Sequence, residues 1–275
     1  MNRNRIGVCT LSFRMLELEP ALDEIKALGC TGVDLWQVSP YYDNHGHVAS
    51  DAPASDVDRV KTLLGDRDLH LVHLASYPGM KFRGASEDER QADIAWGKAT
   101  IDLCSRLASP IMRCLPGPGE RLDELDSLVE SMQVLADYAA TREIKLVFET
   151  HGGGPIMQTE SIQLILDGVA RDNVGLLYDP GNLAANALYR KIPQAFADRI
   201  VHVHLKSVDL GSGAKAIAWA DPDGGAVDFD WVLNALNDIG YDGAFAIEYE
   251  NYQASCTVEE VRTGVQSWVD FLATR

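Results

Sequence analysis

Several things are missing from this 275-residue sequence, and each absence removes a class of protein. Basic residues are few: 24 Lys and Arg stand against 41 Asp and Glu, a formal net charge of −17. No basic block interrupts the imbalance. Nucleic acid and anionic membrane surfaces are both gripped by Lys and Arg that displace counterions, so neither is an expected partner. No apolar run approaches the ~18 residues of a membrane span, and the N-terminal MNRNRIGVCTLSFR lacks a signal-like apolar stretch. These absences predict a soluble, cytoplasmic protein. Cysteine is scarce as well. Cys9, Cys30, Cys104, Cys114 and Cys256 are odd in number and contain no C-x-x-C pair, which predicts reduced thiols and no zinc knuckle or redox couple. A G-x-G-x-x-G turn after the first strand is also lacking, which disfavours an open dinucleotide-binding sheet.

What is present is an ordinary folded composition, 46% apolar and 24% charged. A short β-branched or aromatic run, a loop and an amphipathic stretch alternate eight times. The runs are IGVCT (6–10), GVDLWQ (32–37), LHLVHLA (69–75), IMRCL (111–115), KLVFE (145–149), VGLLYD (174–179), IVHVHL (200–205) and FAIEYE (245–250). Between them, stretches such as PALDEIKALG, ESIQLILDGVA and VEEVRTGVQSWVDFLA repeat apolar residues at three and four. Eight units in 275 residues average about 34 each, close to a minimal closed barrel. The fold class expected is α/β, a single (β/α)8 TIM barrel over residues 1–275. The two longest irregular loops follow strands 2 and 7, on the C-terminal face where such barrels carry their sites.

The ends of the last four strands carry Glu149, Asp179, His204 and Glu248. Inward-facing carboxylates at the rim of an apolar barrel repel one another and lose hydration unless something positive sits between them. A divalent cation resolves the conflict. Three carboxylates and one imidazole favour Mn2+, Mg2+ or Co2+ and also accept Zn2+ or Fe2+, with Mn2+ the leading choice. Taken singly, each residue is equally at home as a solvated loop residue or helix N-cap, and Asp179 before Pro-Gly as a turn residue. As a set of four they point to a metal centre.

The segments FETHGGG, YDPGN, HVHLKS and IEYE, with DGGAVDFDWVLNALNDIGYDG before the last strand, resemble the xylose isomerase-like TIM-barrel superfamily of sugar phosphate isomerases and epimerases. The resemblance covers most of the chain. It implies that Glu149, Asp179, His204 and Glu248 are the metal ligands, with Glu149 and Glu248 on opposite sides of a bound substrate. In the ketose 3-epimerase branch these two glutamates also exchange the proton. This chain departs from that branch at two positions. Asn182 stands where the branch has His, and Leu210 where it has Arg. Lys206 instead follows the H-x-H-x-K pattern common elsewhere in the superfamily.

Two residues along a strand is the same face, so Lys206 and His151 share the interior with His204 and Glu149. Both are candidate catalytic residues, Lys206 alternatively as a salt bridge within the site. Trp36, His73, Arg113, Asn182 and Glu250 are candidate substrate contacts. Tyr41, Tyr42, His45 and His47 are candidates for an aromatic lid, and His202 for a supporting or core histidine.

A metal-bound carbonyl beside a carboxylate base runs one chemistry with three outcomes. Returning the proton to the opposite face epimerises, returning it to the neighbouring carbon isomerises, and expelling a leaving group eliminates. The expected function is an isomerase or epimerase acting on a non-phosphorylated sugar through a metal-stabilised enediolate. The alternative is a lyase, dehydrating a keto-inositol or eliminating an aglycone from a 3-keto-glycoside. An abasic-site endonuclease is disfavoured by the charge of −17, and a noncatalytic accessory barrel by the complete ligand set. The expected partner is a small sugar derivative, with homo-oligomers compatible.

Overall fold

The structure is a computed structural model that describes residues 5–42, 45–117, 125–151, 155–156, 158–211 and 217–275. Eight parallel strands close into a barrel in the order β1 (Ile6–Cys9), β10 (Phe245–Ile247), β7 (Ile200–Leu205), β6 (Val174–Tyr178), β5 (Lys145–Glu149), β4 (Ile111–Cys114), β3 (His70–Ala75) and β2 (Gly32–Trp36). All eight strand runs legible in the sequence are therefore present, each next to its chain neighbour. The fold class is the expected (β/α)8 barrel.

The longer helices are α1 (Leu18–Ala27), α2 (Ala54–Gly65), α3 (Glu87–Leu107), α4 (Leu125–Ala140), α5 (Thr159–Val169), α7 (Phe229–Asp238) and α8 (Val258–Ala273). Capping boxes set two of their starts, Ser86 with Glu89 for α3 and Thr257 with Glu260 for α8. Two connections differ from the regular alternation. Between β6 and β7 the chain makes three 3-10 turns and only a one-turn α6 (Ile192–Ala195), since Pro180 and Pro193 bracket a stretch with no helical apolar period. After β7 it adds an antiparallel hairpin, β8 (Ser207–Asp209) with β9 (Ile217–Ala220). Among the described residues no helix is long and apolar enough to cross a membrane.

Alternation along each strand sorts side chains into two environments. Val8, Leu35, Leu74, Met112, Phe148, Leu176, Val203 and Ile247 belong to the core cluster shared with the helices. Each such buried Leu, Ile, Val or Phe stabilises the fold by roughly 1.5–3 kcal/mol. Ile111, Val147 and Leu177 form a small separate cluster inside the barrel. Within the barrel, two register shifts interrupt the alternation among the described residues. Strand β3 skips Val72, so that Val33 pairs with Leu71 but Asp34 with His73, and β7 skips Val201, so that Leu176 pairs with Ile200 but Leu177 with His202. Each extra residue is a bulge that re-aims a histidine into the interior. Where β1 meets β2 the backbones touch: a Cβ at Gly7 would lie 2.8 Å from the carbonyl carbon of Gly32. Only glycine fits that approach.

Candidate active site

The C-terminal mouth of the barrel opens into a cavity of about 1010 Å3, among whose walls are Trp36, Arg113, Glu149, Lys206, Glu248 and Glu250. Immediately beneath it Glu149, Asp179, His204 and Glu248 converge, each offering a ligand atom within 4.8 Å of the others. All four are buried. The turn Asp179-Pro180-Gly181 is packed tightly against β7, since a Cβ at Gly181 would overlap the carbonyl oxygen of Lys206.

The carboxylates are held by the protein's own donors. Arg113 Nη1 donates to Glu149 Oε2 at 2.6 Å, and Asn182 Nδ2 donates to Asp179 Oδ2 at 3.0 Å and Glu149 Oε1 at 3.3 Å. Lys206 Nζ lies 2.7 Å from Glu248 Oε2, 2.8 Å from Asp179 Oδ2 and 3.0 Å from Glu250 Oε2. Burial by itself would raise each carboxyl. For Glu149 the Arg113 guanidinium overturns burial and holds the group well below the usual carboxylate range. For Glu248 burial is overturned by the Lys206 ammonium and by His204. Asp179 goes the other way: burial, with Glu149 and Glu248 adding repulsion, outweighs Lys206 and pushes it up to about 6. Burial disfavours the charged forms of Lys206 and His204, but facing carboxylates raise both well above their ordinary values.

This arrangement corrects one step of the sequence argument. The carboxylates do not depend on a metal to be tolerated, because Lys206, Arg113 and His204 already supply positive charge between them. The donor geometry is the stronger indication. His204 Nδ1 is buried without a well-aligned hydrogen-bond partner among the described residues, 3.2 Å from Glu248 Oε2 and 3.6 Å from Glu149 Oε1. Ligand atoms on opposite sides of an ion with bonds of ~2.0–2.2 Å are roughly 4.4 Å apart, so shifts of a few tenths of an ångström would close these four on one cation. The residues fit a divalent ion.

Other sequence candidates divide by position. Trp36, Arg113, His151, Lys206 and Glu250 reach the cavity, as do Tyr42 and His45. His73 does not: it is wholly buried below the cavity, with Nδ1 2.9 Å from Asp34 Oδ2. Asn182 braces Glu149 and Asp179 in place of lining the wall, since its amide lies within hydrogen-bond reach of both. Tyr41 packs edge-on against Trp96, and His47 is engaged by Thr10 and the Leu16 carbonyl, so neither belongs to a lid. Gly152–Gly154 of the FETHGGG motif lie outside the described residues.

Sequence reasoning passed over Asp34, Tyr77 and Tyr252. Tyr77 accepts a 2.6 Å hydrogen bond from Trp36 Nε1, and Tyr252 donates to Glu250 Oε1 at 2.8 Å. Asp34, the single carboxylate in an apolar β2, had a legible signal. It stands two residues before Trp36 on the inward face, where a buried charge needs a partner.

Comparison with known proteins agrees with this architecture. The family model described as xylose isomerase-like TIM barrel matches residues 22–273. An inosose dehydratase of Geobacillus thermodenitrificans is 31% identical over 142 residues, covering 46% of this chain and 48% of that protein. The chain thus matches about half the length of such curated relatives. Among solved structures, a D-tagatose 3-epimerase-like protein superposes with a TM-score of 0.77 at 18% identity, covering 98% of this chain and 97% of the other. The IOLI protein with a bound zinc atom gives 0.75 at 19% identity, covering 98% of each. These two likenesses show the fold.

Proposed function

The chain belongs to the xylose isomerase-like TIM-barrel family, and on that premise we propose that it is a divalent-metal-dependent enzyme that removes a proton beside the carbonyl of a non-phosphorylated sugar or polyol derivative. The observation that carries this reading is the pair Glu149 and Glu248. They come from β5 and from the residue following β10, both border the cavity, and both are held ionised although buried.

Glu149, Asp179, His204 and Glu248 would hold the ion, with Mn2+ the leading choice for their oxygen-rich set. When bound, it supplies a Lewis acid that polarises a carbonyl and acidifies the neighbouring C–H. Glu149 and Glu248 would take the proton and return it from the other side, as the family resemblance implies. Arg113 keeps Glu149 deprotonated between turnovers. Lys206 orients Glu248 and Glu250, and its ammonium favours negative charge developing on a substrate oxygen. The cations nearest the carboxylates are already neutralised by them, which supports an uncharged substrate over a phosphorylated one.

Completion as an isomerase or epimerase is the first reading. Completion as a lyase is the second, and the similarity to inosose dehydratases favours it. In that reading His151, which lines the cavity, would protonate the departing hydroxyl. One experiment separates the two: incubate the Mn2+-loaded protein with ketohexoses and with a keto-inositol in D2O and follow the products by NMR. Deuterium retained in an epimer or aldose supports the first reading, and loss of water supports the second. No exchange into any of these substrates rejects both.

A further inference from the structure

Below the cavity lies a second buried cluster, Asp34 with His73, His202 and His204, whose ligand-type atoms also fall within 4.8 Å of one another. All four side chains are wholly buried. The geometry within the cluster has one centre. Asp34 Oδ2 lies 2.9 Å from His73 Nδ1, 2.7 Å from His202 Nε2 and 3.0 Å from His204 Nε2. The rings stand around it with centroids 5.1–5.8 Å apart. A carboxylate oxygen accepts, so each nitrogen turned toward it carries a hydrogen.

Reaching this arrangement takes unusual construction. Asp34 lies on β2 and meets two residues of β7, with β1 and β10 intervening in the barrel order. The bulges at Val72 and Val201 are the steps that turn His73 and His202 inward. Among the described residues His204 alone belongs to both clusters. Its Nε2 faces Asp34, and its Nδ1 faces Glu149 and Glu248.

We propose that Asp34 is a positioning residue for the metal centre: by accepting the Nε2 hydrogen of His204 it fixes the tautomer whose Nδ1 lone pair is offered to the ion, while His73 and His202 hold Asp34 in place. This proposal rests on the metal-dependent reading. A histidine ligand is oriented by the acceptor on its other nitrogen, and loss of such an acceptor typically weakens metal binding 10–100-fold.

The test is Mn2+ binding by isothermal titration calorimetry for wild type, Asp34→Asn and, as a packing control, Leu22→Ala. The expected result is a dissociation constant ~10–100-fold weaker for Asp34→Asn and unchanged for Leu22→Ala. Independently of any variant, two-bond 1H–15N spectra of the wild-type protein loaded with diamagnetic Zn2+ report the His204 tautomer, expected with hydrogen on Nε2. Wild-type affinity in Asp34→Asn overturns the proposal, as does hydrogen on Nδ1 or an equal loss of affinity in Leu22→Ala. A wild-type protein that takes up no divalent ion overturns the metal reading itself, and the proposal with it.

Discussion

The two halves of the barrel mouth are built from the same kind of strand and end in opposite chemistry. Strands β4 to β7 and the end of β10 present Arg113, Glu149, Asp179, Lys206 and Glu248, all but Asp179 bordering the cavity and every one nearly or wholly buried. Strands β1 to β3 present Cys9, Trp36 and Ala75, which pack with Leu11 as an apolar cluster. The apolar half is stable because it leaves water. The charged half has lost water too, and each of its groups is tolerable only because a neighbour of opposite sign is fixed within hydrogen-bond reach. Substitutions should therefore act steeply and cooperatively on one side and gradually on the other.

The sharpest break is expected at the two glutamates. Glu149→Gln or Glu248→Gln removes a base while keeping shape, and turnover in the D2O exchange assay should fall ~10²–10⁴-fold. Retained exchange in either variant would remove that residue from the chemistry. Next in size is Lys206→Met, which leaves Asp179, Glu248 and Glu250 without their shared ammonium. Urea unfolding of the metal-free variant should show a loss of about 3–5 kcal/mol, smaller when Mn2+ is saturating. A variant as stable as wild type would mean that the charged half is not interdependent.

The layer beneath the mouth responds to pH. Burial lowers His73 from 6.5 to about 4 in the folded protein. Below pH 6.5 the unfolded chain gains a proton that the folded chain does not. The contribution of His73 to stability is thus complete above that value and is lost, on the order of 3 kcal/mol, as the pH drops from 6.5 to about 4, while Asp179, raised to about 6, contributes with the opposite sign. His73→Gln should flatten this part of the profile in urea midpoints, and an unchanged slope would assign the effect elsewhere. The smallest effect belongs to the apolar half. Tyr77→Phe removes the acceptor of Trp36 Nε1 and should cost about 1 kcal/mol in stability, with KM altered more than kcat. A collapse of kcat there would abolish the distinction between the halves.

The strands were readable because each apolar run is bounded by loops and separated from the next by helical periodicity. The rim residues were readable because Glu149 and Asp179 end such a run and His204 and Glu248 stand within two residues of the end of theirs. What lies between strands was not. Lys206 meets Glu248 across 42 residues of chain, and Asp34 meets His202 across 168. No local pattern announces either contact. His73 stands on a strand running toward the cavity, and depth along the strand is what the sequence leaves open. The one-turn α6 between β6 and β7 shows the reverse case, a regular alternation kept over a segment whose own residues support only a short helix.

The residues Val72 and Val201 give the barrel a kind of parity. In a strand of period two, one residue more or fewer exchanges inside for outside along everything beyond it. If β7 paired regularly through Val201 instead of skipping it, Val203 and Leu205 would face the charged mouth and His204 and Lys206 would turn toward the helices; deleting Val201 takes out the extra residue, so Leu177 would still face His202 and the mouth would keep its order. Neither valine stands among the ionised groups of the mouth, and replacing either with another β-branched residue should be mild. Removing either should keep the mouth in register and cost the local bulge alone, whereas adding a residue beyond it would exchange the two faces. The order of the mouth therefore depends on how these two points are paired, more than on which residue stands there.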